Sequence, residues 1–183
     1  NDLLHRYQTG ALDIEIPAIV SNHPDLEKVA NWYEVPYYYF PLDKENKDTQ
    51  EKKIIDVMER HQIDLTVLAR YMQILSPEFC AELKGKAINI HHSFLPSFKG
   101  AKPYHQAFDR GVKLIGATAH YVTGDLDEGP IIEQEVARVD HTMSAKALVA
   151  LGRDVENLVL AKAVKYHCEH RVLLNDHKTV IFK

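Results

Sequence analysis

The stretch Lys86-Ala87-Ile88-Asn89-Ile90-His91-His92-Ser93-Phe94-Leu95-Pro96 is a short apolar run that leads into polar side chains and a proline. Such a run predicts a buried strand that ends in a loop. Successive side chains of a strand point to opposite faces, so Asn89 and His91 share one face. If the strand continues, His92 lies on the other face, which predicts a structural or supporting role for it. We therefore expect Asn89 and His91 to point into one cleft.

Toward the N-terminus of this strand, short apolar runs alternate with amphipathic stretches. Ser76-Pro77 favours a helix start, since serine caps helices and proline suits the first helical position. This alternation is typical of an α/β fold with a doubly wound, mostly parallel sheet. Strands are predicted at residues 14–20, 35–40, 63–69 and 87–90, and helices at residues 25–33, 47–61 and 77–84.

Toward the C-terminus the pattern predicts longer elements. Two long strands are expected at residues 113–122 and 131–139, joined through a turn region. A long helix follows from about Ser144 to Cys168. The tail at residues 171–182 predicts a β-hairpin about Asn175-Asp176.

The opening residues predict a helix, with Leu3, Leu4 and Tyr7 on one side and Gly10 as its stop. A doubly wound domain usually begins with a strand, and the loop after that strand helps to form the ligand crevice. We therefore expect the first strand of the fold and its following loop to be missing from this chain.

Length, charge and cysteine content narrow the class of protein. A chain of 183 residues that is 45% hydrophobic is long enough for one domain with a substantial core. The net charge of −4 and the lack of a basic block disfavour a nucleic-acid partner. Cys80 and Cys168 form no CxxC pattern, and no apolar run approaches the roughly 18 residues of a membrane span. We expect a cytoplasmic protein, assembled as a homo-oligomer, that does not bind membranes.

A carboxylate joins the amide and the imidazole as a candidate catalytic group. Asp127 lies in the stretch Asp125-Leu126-Asp127-Glu128-Gly129-Pro130. An amide N–H can hold a developing oxyanion, an imidazole can transfer a proton near neutral pH, and a carboxylate can orient that imidazole. A carboxylate also favours the charged imidazole, so we expect the pKa of His91 to lie above its free value of about 6.5. The alternative is that Asp127 is a turn former before Gly129-Pro130.

Four motifs of this chain resemble the catalytic domain of the formyltetrahydrofolate deformylase family, hydrolytic relatives of the glycinamide ribonucleotide formyltransferases. The double histidine in the first motif resembles the deformylases more than the transferases. The motifs are Asn-Ile-His-His-Ser-Phe-Leu-Pro at 89–96, Gly-Ala-Lys-Pro-Tyr-His-Gln-Ala at 100–107, Gly-Ala-Thr-Ala-His-Tyr-Val at 116–122 and Leu-Asp-Glu-Gly-Pro-Ile-Ile at 126–132. The resemblance implies a formyltransferase-like, Rossmann-type catalytic domain over residues 1–183. We interpret that domain as N-terminally incomplete and as lacking the ACT-type domain common in this family.

The resemblance also implies a reaction, the hydrolysis of 10-formyltetrahydrofolate to formate and tetrahydrofolate, which supplies formate for purine biosynthesis and balances the one-carbon folate pool. Asp127, His91 and Asn89 are the implied catalytic residues, with water as the attacking group and neither a metal nor a prosthetic group. In that mechanism Asp127 orients the water, Asn89 holds the oxyanion, and a cationic His91 protonates N10. The implied substrate-binding residues are Met72, Gln73, Ile74, Leu75, Val122, Thr123, Gly124, Asp125 and, near the folate glutamate, Lys47.

Several of these residues have an ordinary structural explanation. Residues 72–75 read equally well as a strand-to-helix loop, and Lys47 as a solvated lysine at a helix start. His120 is interpreted first as a hydrogen-bonding histidine of the core. His167 and His170 lie three residues apart at a helix end, but the sequence offers no evident third metal ligand.

Two other functions remain open. One is a formyltransferase that passes the formyl group to an amine such as glycinamide ribonucleotide. The other is a non-catalytic folate-binding fragment. The sequence lacks the G-x-G-x-x-G, G-x-x-x-x-G-K-[ST] and G-x-S-x-G patterns, which disfavours a dinucleotide site, a P-loop and a serine hydrolase.

Overall fold

The computed structural model describes residues 1–42, 47–93, 95 and 103–183. These residues divide into two compact units, Asn1–Leu65 and Thr66–Lys183. None of the helices within the described ranges is both long and apolar enough to cross a membrane.

The N-terminal unit contains three helices and one pair of parallel strands among its described residues. The predicted strand at 14–20 begins only at Ile19, because Pro17 has no N–H to donate to a ladder. The opening helix is confirmed, with Thr9 as its C-cap and Gly10 at φ +72°. The elements are α1 (Asp2–Gln8), β1 (Ile19–Ser21), α2 (Glu27–Trp32), β2 (Tyr37–Tyr39) and α3 (Lys47–Arg60).

The C-terminal unit contains a four-stranded sheet, a hairpin and a long helix. Its elements are β3 (Thr66–Leu68), α4 (Pro77–Glu82), β4 (Ala87–His91), α5 (Pro103–Asp109), β5 (Leu114–Tyr121), β6 (Ile131–Arg138), α6 (Ala145–Cys168), β7 (Val172–Asn175) and β8 (Lys178–Ile181). The strand order in the sheet is β3-β4-β5-β6, and β7 pairs with β8 in the hairpin. The helix starts are fixed by serine caps, since the Ser76 and Ser144 hydroxyls accept backbone N–H groups at 3.1 and 3.2 Å.

The predicted α/β class, C-terminal helix and hairpin are all confirmed. The sheet is mixed, because β3 and β4 are parallel while β4, β5 and β6 are antiparallel. A short connection such as the one between β5 and β6 permits only antiparallel neighbours, which explains that pairing. The hairpin turn lies at Asp176-His177, one residue beyond the predicted position, and α5 was not predicted.

Helix α6 covers one side of the sheet and packs against β4, β5 and β6. Its buried Val159 and Val164 lie among the fully buried side chains of the chain, as does Ile88 of β4. Burial of this apolar surface is the main term that stabilises the arrangement. The strand that carries Asn89 and His91 is therefore held in the middle of the core.

Candidate active site

The register of β4 against β5 brings the first polar groups together. Asn89 is paired with His120, and His91 with Thr118. Residues directly opposite in an antiparallel pair share a face of the sheet. Accordingly, the Asn89 Nδ2 atom lies 3.4 Å from His120 Nε2.

Asp127 completes the cluster from the loop after β5. Its Oδ1 atom lies 3.2 Å from His91 Nδ1 and 3.8 Å from His120 Nε2. The side chains of His91 and Asp127 are only 7% and 15% exposed, so their interaction is weakly screened by solvent. Asp127 also has a φ of 58°, the left-handed region that non-glycine residues rarely adopt.

Gly129 allows this loop to lie against β5. A Cβ atom at this position would lie 1.7 Å from the Tyr121 carbonyl oxygen and 3.0 Å from His120 Nδ1. The loop is tied to the strand by the Tyr121 N–H, which donates to the Pro130 carbonyl at 2.9 Å. Sequence reasoning did not identify Gly129 as functional, although its place two residues after Asp127 was the available signal.

The expected charge of His91 is wrong in direction. Burial lowers its pKa below the ordinary value of 6.5, and this outweighs the raising effect of the Asp127 carboxylate. His92 and His120 lower the pKa further, because an adjacent positive charge disfavours a second one. His91 is therefore neutral in the resting protein near pH 7. Its Nδ1–H donates to Asp127, because a carboxylate only accepts.

His120 belongs to the cluster as well as to the core. Its Nδ1 atom lies 2.8 Å from the Tyr121 carbonyl oxygen, which accepts only, so Nδ1 carries the proton. Burial lowers the pKa of His120, which leaves Nε2 as an acceptor for the Asn89 amide. The hydrogen-bonding role predicted for His120 is confirmed, while its contact with Asn89 was not foreseen.

His92 does not occupy the opposite face. Its ring stacks on that of His91, with centroids 5.0 Å apart and planes 15° apart. The prediction assumed that strand geometry persists, but β4 ends at His91 and the chain bends there. The buried Nε2 atoms of both histidines have no hydrogen-bond partner within the described part of the chain.

The predicted substrate-binding residues occupy three places. Residues 72–75 form the loop between β3 and α4, and β3 ends with Leu68 paired to Asn89. Two large apolar side chains of this loop, Met72 and Ile74, are 72% and 70% exposed. Large exposed apolar groups are typical of a ligand-binding surface.

The second group lies on the loop that carries Asp127. Val122 is buried and its N–H donates to the Ala87 carbonyl at 2.9 Å, whereas Gly124 and Asp125 are exposed. The Thr123 hydroxyl donates to the Asp125 carbonyl at 3.1 Å, which tightens the loop. Lys47 is the first residue of α3 in the N-terminal unit. The binding roles of these residues and of residues 72–75 stay predictions.

Within the described ranges, no group of three or more histidine, cysteine, aspartate or glutamate side chains is placed to hold a metal ion. His167, one of the two histidines considered for such a site, lies with its Nδ1 atom 2.7 Å from the Tyr121 hydroxyl.

Comparison with curated proteins identifies similar sequences over the full chain. The chain is 52% identical over 182 residues to a formyltetrahydrofolate deformylase of Corynebacterium sp. (strain P-1) and covers 64% of it. It is 50% identical over 182 residues to the formyltetrahydrofolate deformylase of Bacillus subtilis and covers 61% of that protein. In both cases the whole of this chain is matched. The chain thus spans less than two thirds of the length of these relatives.

Solved structures of deformylases and formyltransferases are similar to this chain. A formyltetrahydrofolate deformylase from Burkholderia mallei superposes with a TM-score of 0.96 at 58% identity, over 100% of this chain and 65% of that one. A phosphoribosylglycinamide formyltransferase from Anaplasma phagocytophilum superposes with a TM-score of 0.88 at 31% identity, over 100% of this chain and 89% of that one. The pattern of the formyl transferase family matches residues 1–164. With Asn89, His91 and Asp127 gathered on this fold, the chain belongs to the formyl transferase family.

Proposed function

We propose that this chain hydrolyses 10-formyltetrahydrofolate to formate and tetrahydrofolate, supplying formate for purine biosynthesis and balancing the one-carbon folate pool. The observation that carries the proposal is the largely buried Asp127–His91 pair, 3.2 Å apart, beside the amide of Asn89. A carboxylate, an imidazole and an amide N–H are the groups that hydrolysis of a formamide by water requires. The identity of about 50% to proteins named formyltetrahydrofolate deformylase supports the choice of substrate.

The neutral state of His91 sets the order of proton transfers. Since burial lowers the pKa of His91, the imidazole begins without the proton that the leaving nitrogen needs. A water molecule oriented by Asp127 attacks the formyl carbon, and the Asp127–His91 pair takes up one of its protons. The Asp127 carboxylate then stabilises the imidazolium at hydrogen-bond distance.

Asn89 stabilises the oxygen of the formyl group as it becomes negative. A carboxamide nitrogen has two N–H groups, and one of them donates to His120 Nε2 at 3.4 Å. This contact fixes the rotation of the amide and leaves the second N–H for the oxyanion. Removal of one such donor typically lowers turnover by about 10²- to 10³-fold.

Collapse of the tetrahedral intermediate completes the reaction. The bond between the formyl carbon and N10 breaks, and the imidazolium of His91 gives its proton to N10. Tetrahydrofolate and formic acid leave, and the acid loses its remaining proton to the solvent as formate. His91 returns to its neutral form, so the protons balance over one turnover. In this scheme residues 72–75 and 122–125 hold the pterin.

We extend the proposal to the setting of the reaction. The chain acts as a formyltransferase-like catalytic domain, uses no prosthetic group and works in the cytoplasm, with a folate as its small-molecule partner. A homo-oligomer is supported by exposed apolar side chains on the hairpin, namely Leu173, Leu174, Val180 and Phe182.

Transfer of the formyl group to an amine is the second candidate. The superposition on the phosphoribosylglycinamide formyltransferase, at 31% sequence identity, supports this candidate. The deformylase from Burkholderia mallei is more similar, at 58% identity, which favours hydrolysis. The two functions differ in one requirement, since hydrolysis needs no amine acceptor.

Release of formate from 10-formyltetrahydrofolate, measured with and without glycinamide ribonucleotide, tests the proposal. We expect acceptor-independent release, and we expect Asp127→Asn to lower kcat by about 10²- to 10⁴-fold because the proton relay is lost. Formylation of the amine without release of formate, and no release in the absence of the amine, would establish the transferase instead. Near-normal release by Asp127→Asn would leave Asp127 as a turn former.

A further inference from the structure

A second polar network is centred on Glu156 of α6 and reaches His92, the neighbour of His91, through Tyr104. The Glu156 side chain is 8% exposed, and each of its oxygens has one charged or polar partner. Oε1 accepts from the Tyr104 hydroxyl at 2.7 Å, and Oε2 accepts from Arg70 Nη2 at 3.3 Å. A buried carboxylate needs such partners, because an unpaired one is strongly destabilising.

Tyr104 is held in place by a close fit against Gly152 of α6 and by contact with His92. Gly152 lies one turn before Glu156, and a Cβ atom there would come within 2.1 Å of Tyr104 Cζ. The Tyr104 ring also contacts His92, with centroids 6.5 Å apart, and His92 stacks on His91. Burial and the Glu156 carboxylate raise the pKa of the Tyr104 phenol, so it remains a hydrogen-bond donor.

Arg70 connects this network to the loop at residues 72–75. It follows β3 by two residues and has a φ of 56°, in the left-handed region. Its side chain is 61% exposed, so without Glu156 little would restrict a long and flexible arginine. The contact with a buried, rigidly held carboxylate therefore fixes both the guanidinium and the unusual backbone from which the loop departs.

We propose that Arg70, Glu156 and Tyr104 are positioning residues that set the course of residues 71–75 and thereby the affinity for the folate. The inference rests on the proposed function, because it assigns those residues to the substrate site. The three residues do not act on the reacting atoms. Their loss should weaken binding of the substrate more than it slows the chemical step.

Three variants test the guanidinium group of Arg70, its positive charge and the hydroxyl of Tyr104 separately. Arg70→Gly removes the guanidinium but tolerates the positive φ, Arg70→Lys keeps the charge, and Tyr104→Phe keeps the ring and removes one donor to Glu156. Lys162→Met is the matched control, because it removes another ion pair of α6, with Glu135 at 2.9 Å. All variants are made in the full chain, and thermal melting confirms that each is folded.

The readouts are KM and kcat for 10-formyltetrahydrofolate and amide hydrogen exchange of residues 71–75 without ligand. We expect Arg70→Gly to raise KM about tenfold while kcat changes less than about twofold, since a hydrogen bond to a charged group is lost. Arg70→Lys should recover part of the affinity, and Tyr104→Phe should have a smaller effect. Exchange of residues 71–75 should accelerate in Arg70→Gly and not in Lys162→Met.

Failure of this inference is distinguishable from failure of the proposed function. Wild-type KM and unchanged exchange in a folded Arg70→Gly protein would overturn the positioning role while hydrolysis stands. If Arg70→Gly lowered both kcat and the melting temperature and left KM unchanged, the effect would be general destabilisation, and the positioning role would also be overturned. A wild-type chain that releases no formate would overturn the proposed function, and accelerated exchange in Arg70→Gly would then still support the positional link.

Discussion

Two opposing effects act on the charge of His91. The Asp127 carboxylate at 3.2 Å favours the imidazolium, and removal of the ring from water favours the neutral imidazole. Burial is the larger effect, so the pKa of His91 is lowered. This balance suits a group that must first take a proton and later release it, since a permanently cationic imidazole is unable to take one.

The pH dependence of turnover follows from this balance. His91 must be neutral to receive a proton, so activity is present above its folded pKa and lost as pH falls through it. Because that pKa lies below 6.5, activity should persist at pH values where an unperturbed histidine is already protonated. In Asp127→Asn the raising influence is removed, so the pKa of His91 should fall further.

The measurement is the pH profile of kcat/KM together with an NMR titration of the His91 ring in wild type and Asp127→Asn. The pH dependence of folding stability provides a second test of the lowered pKa of His91. The unfolded chain binds the proton near pH 6.5 and the folded chain only below that, so folding stability should decrease as pH falls below about 6.5. A His91 ring that titrates above 6.5 would contradict the dominance of burial.

The loop between β5 and β6 has no regular structure, yet it places Asp127, the proposed catalytic carboxylate, beside His91. Residues 123–130 must cross back over β5 for Asp127 to reach His91 on β4. That path brings the backbone at Gly129 so close to Tyr121 that no side chain fits between them. The left-handed φ of Asp127 belongs to the same tight path.

Gly129→Ala should therefore damage both stability and catalysis. The added methyl group would force the loop away from Tyr121, at a cost of about 1–3 kcal/mol in folding free energy. A shift of about 1 Å in Asp127 should lower kcat by roughly 10²-fold. Gly124→Ala is the control for stability, because nothing lies within 4 Å of a Cβ atom at that position of the same loop. Formate release measures the effect of Gly129→Ala on catalysis, and equal melting temperatures of the two variants would refute the close-approach argument.

Local pattern was sufficient for most of the elements, although not for α5 or the bounds of β1, and for part of the site. The alternation of side chains along β4 correctly paired Asn89 with His91 on one face, since that depends only on strand geometry. The stacking of His92 on His91 was missed because it depends on where the strand ends. The direction of the His91 pKa was also missed, because burial is set by packing of distant parts of the chain and has no local signature.

The contacts of His120 and Glu156 were also not predictable from local sequence, because their partners lie far away along the chain. His120 meets Asn89 only through the register of β4 against β5, and Glu156 meets Arg70 across 86 residues of sequence. A single sequence carries no periodicity that reports such pairs. Family motifs predicted Asn89, His91 and Asp127 as the catalytic residues, whereas the contacts of His120 and Glu156 became visible only in the folded chain.

For the chain as a whole, ligand binding should appear as added stability. A ligand that binds only the folded state raises the unfolding free energy by about 2.7 kcal/mol at one hundred times its Kd. For a chain of this size that corresponds to a rise of about 5–10 °C in melting temperature. We expect tetrahydrofolate to produce this shift and NAD or ATP to produce none.

The Asp127→Asn variant distinguishes folate binding from hydrolysis. The carboxylate serves the water and the proton, so its loss should leave the folate-induced shift almost unchanged while formate release falls. Arg70→Gly should behave in the opposite way, with a smaller shift at equal ligand concentration and near-normal kcat. A shift with NAD or ATP and none with tetrahydrofolate would show that the exposed loop at residues 72–75 and the Asp127 loop serve a different ligand, and the proposed hydrolysis would be wrong for this chain.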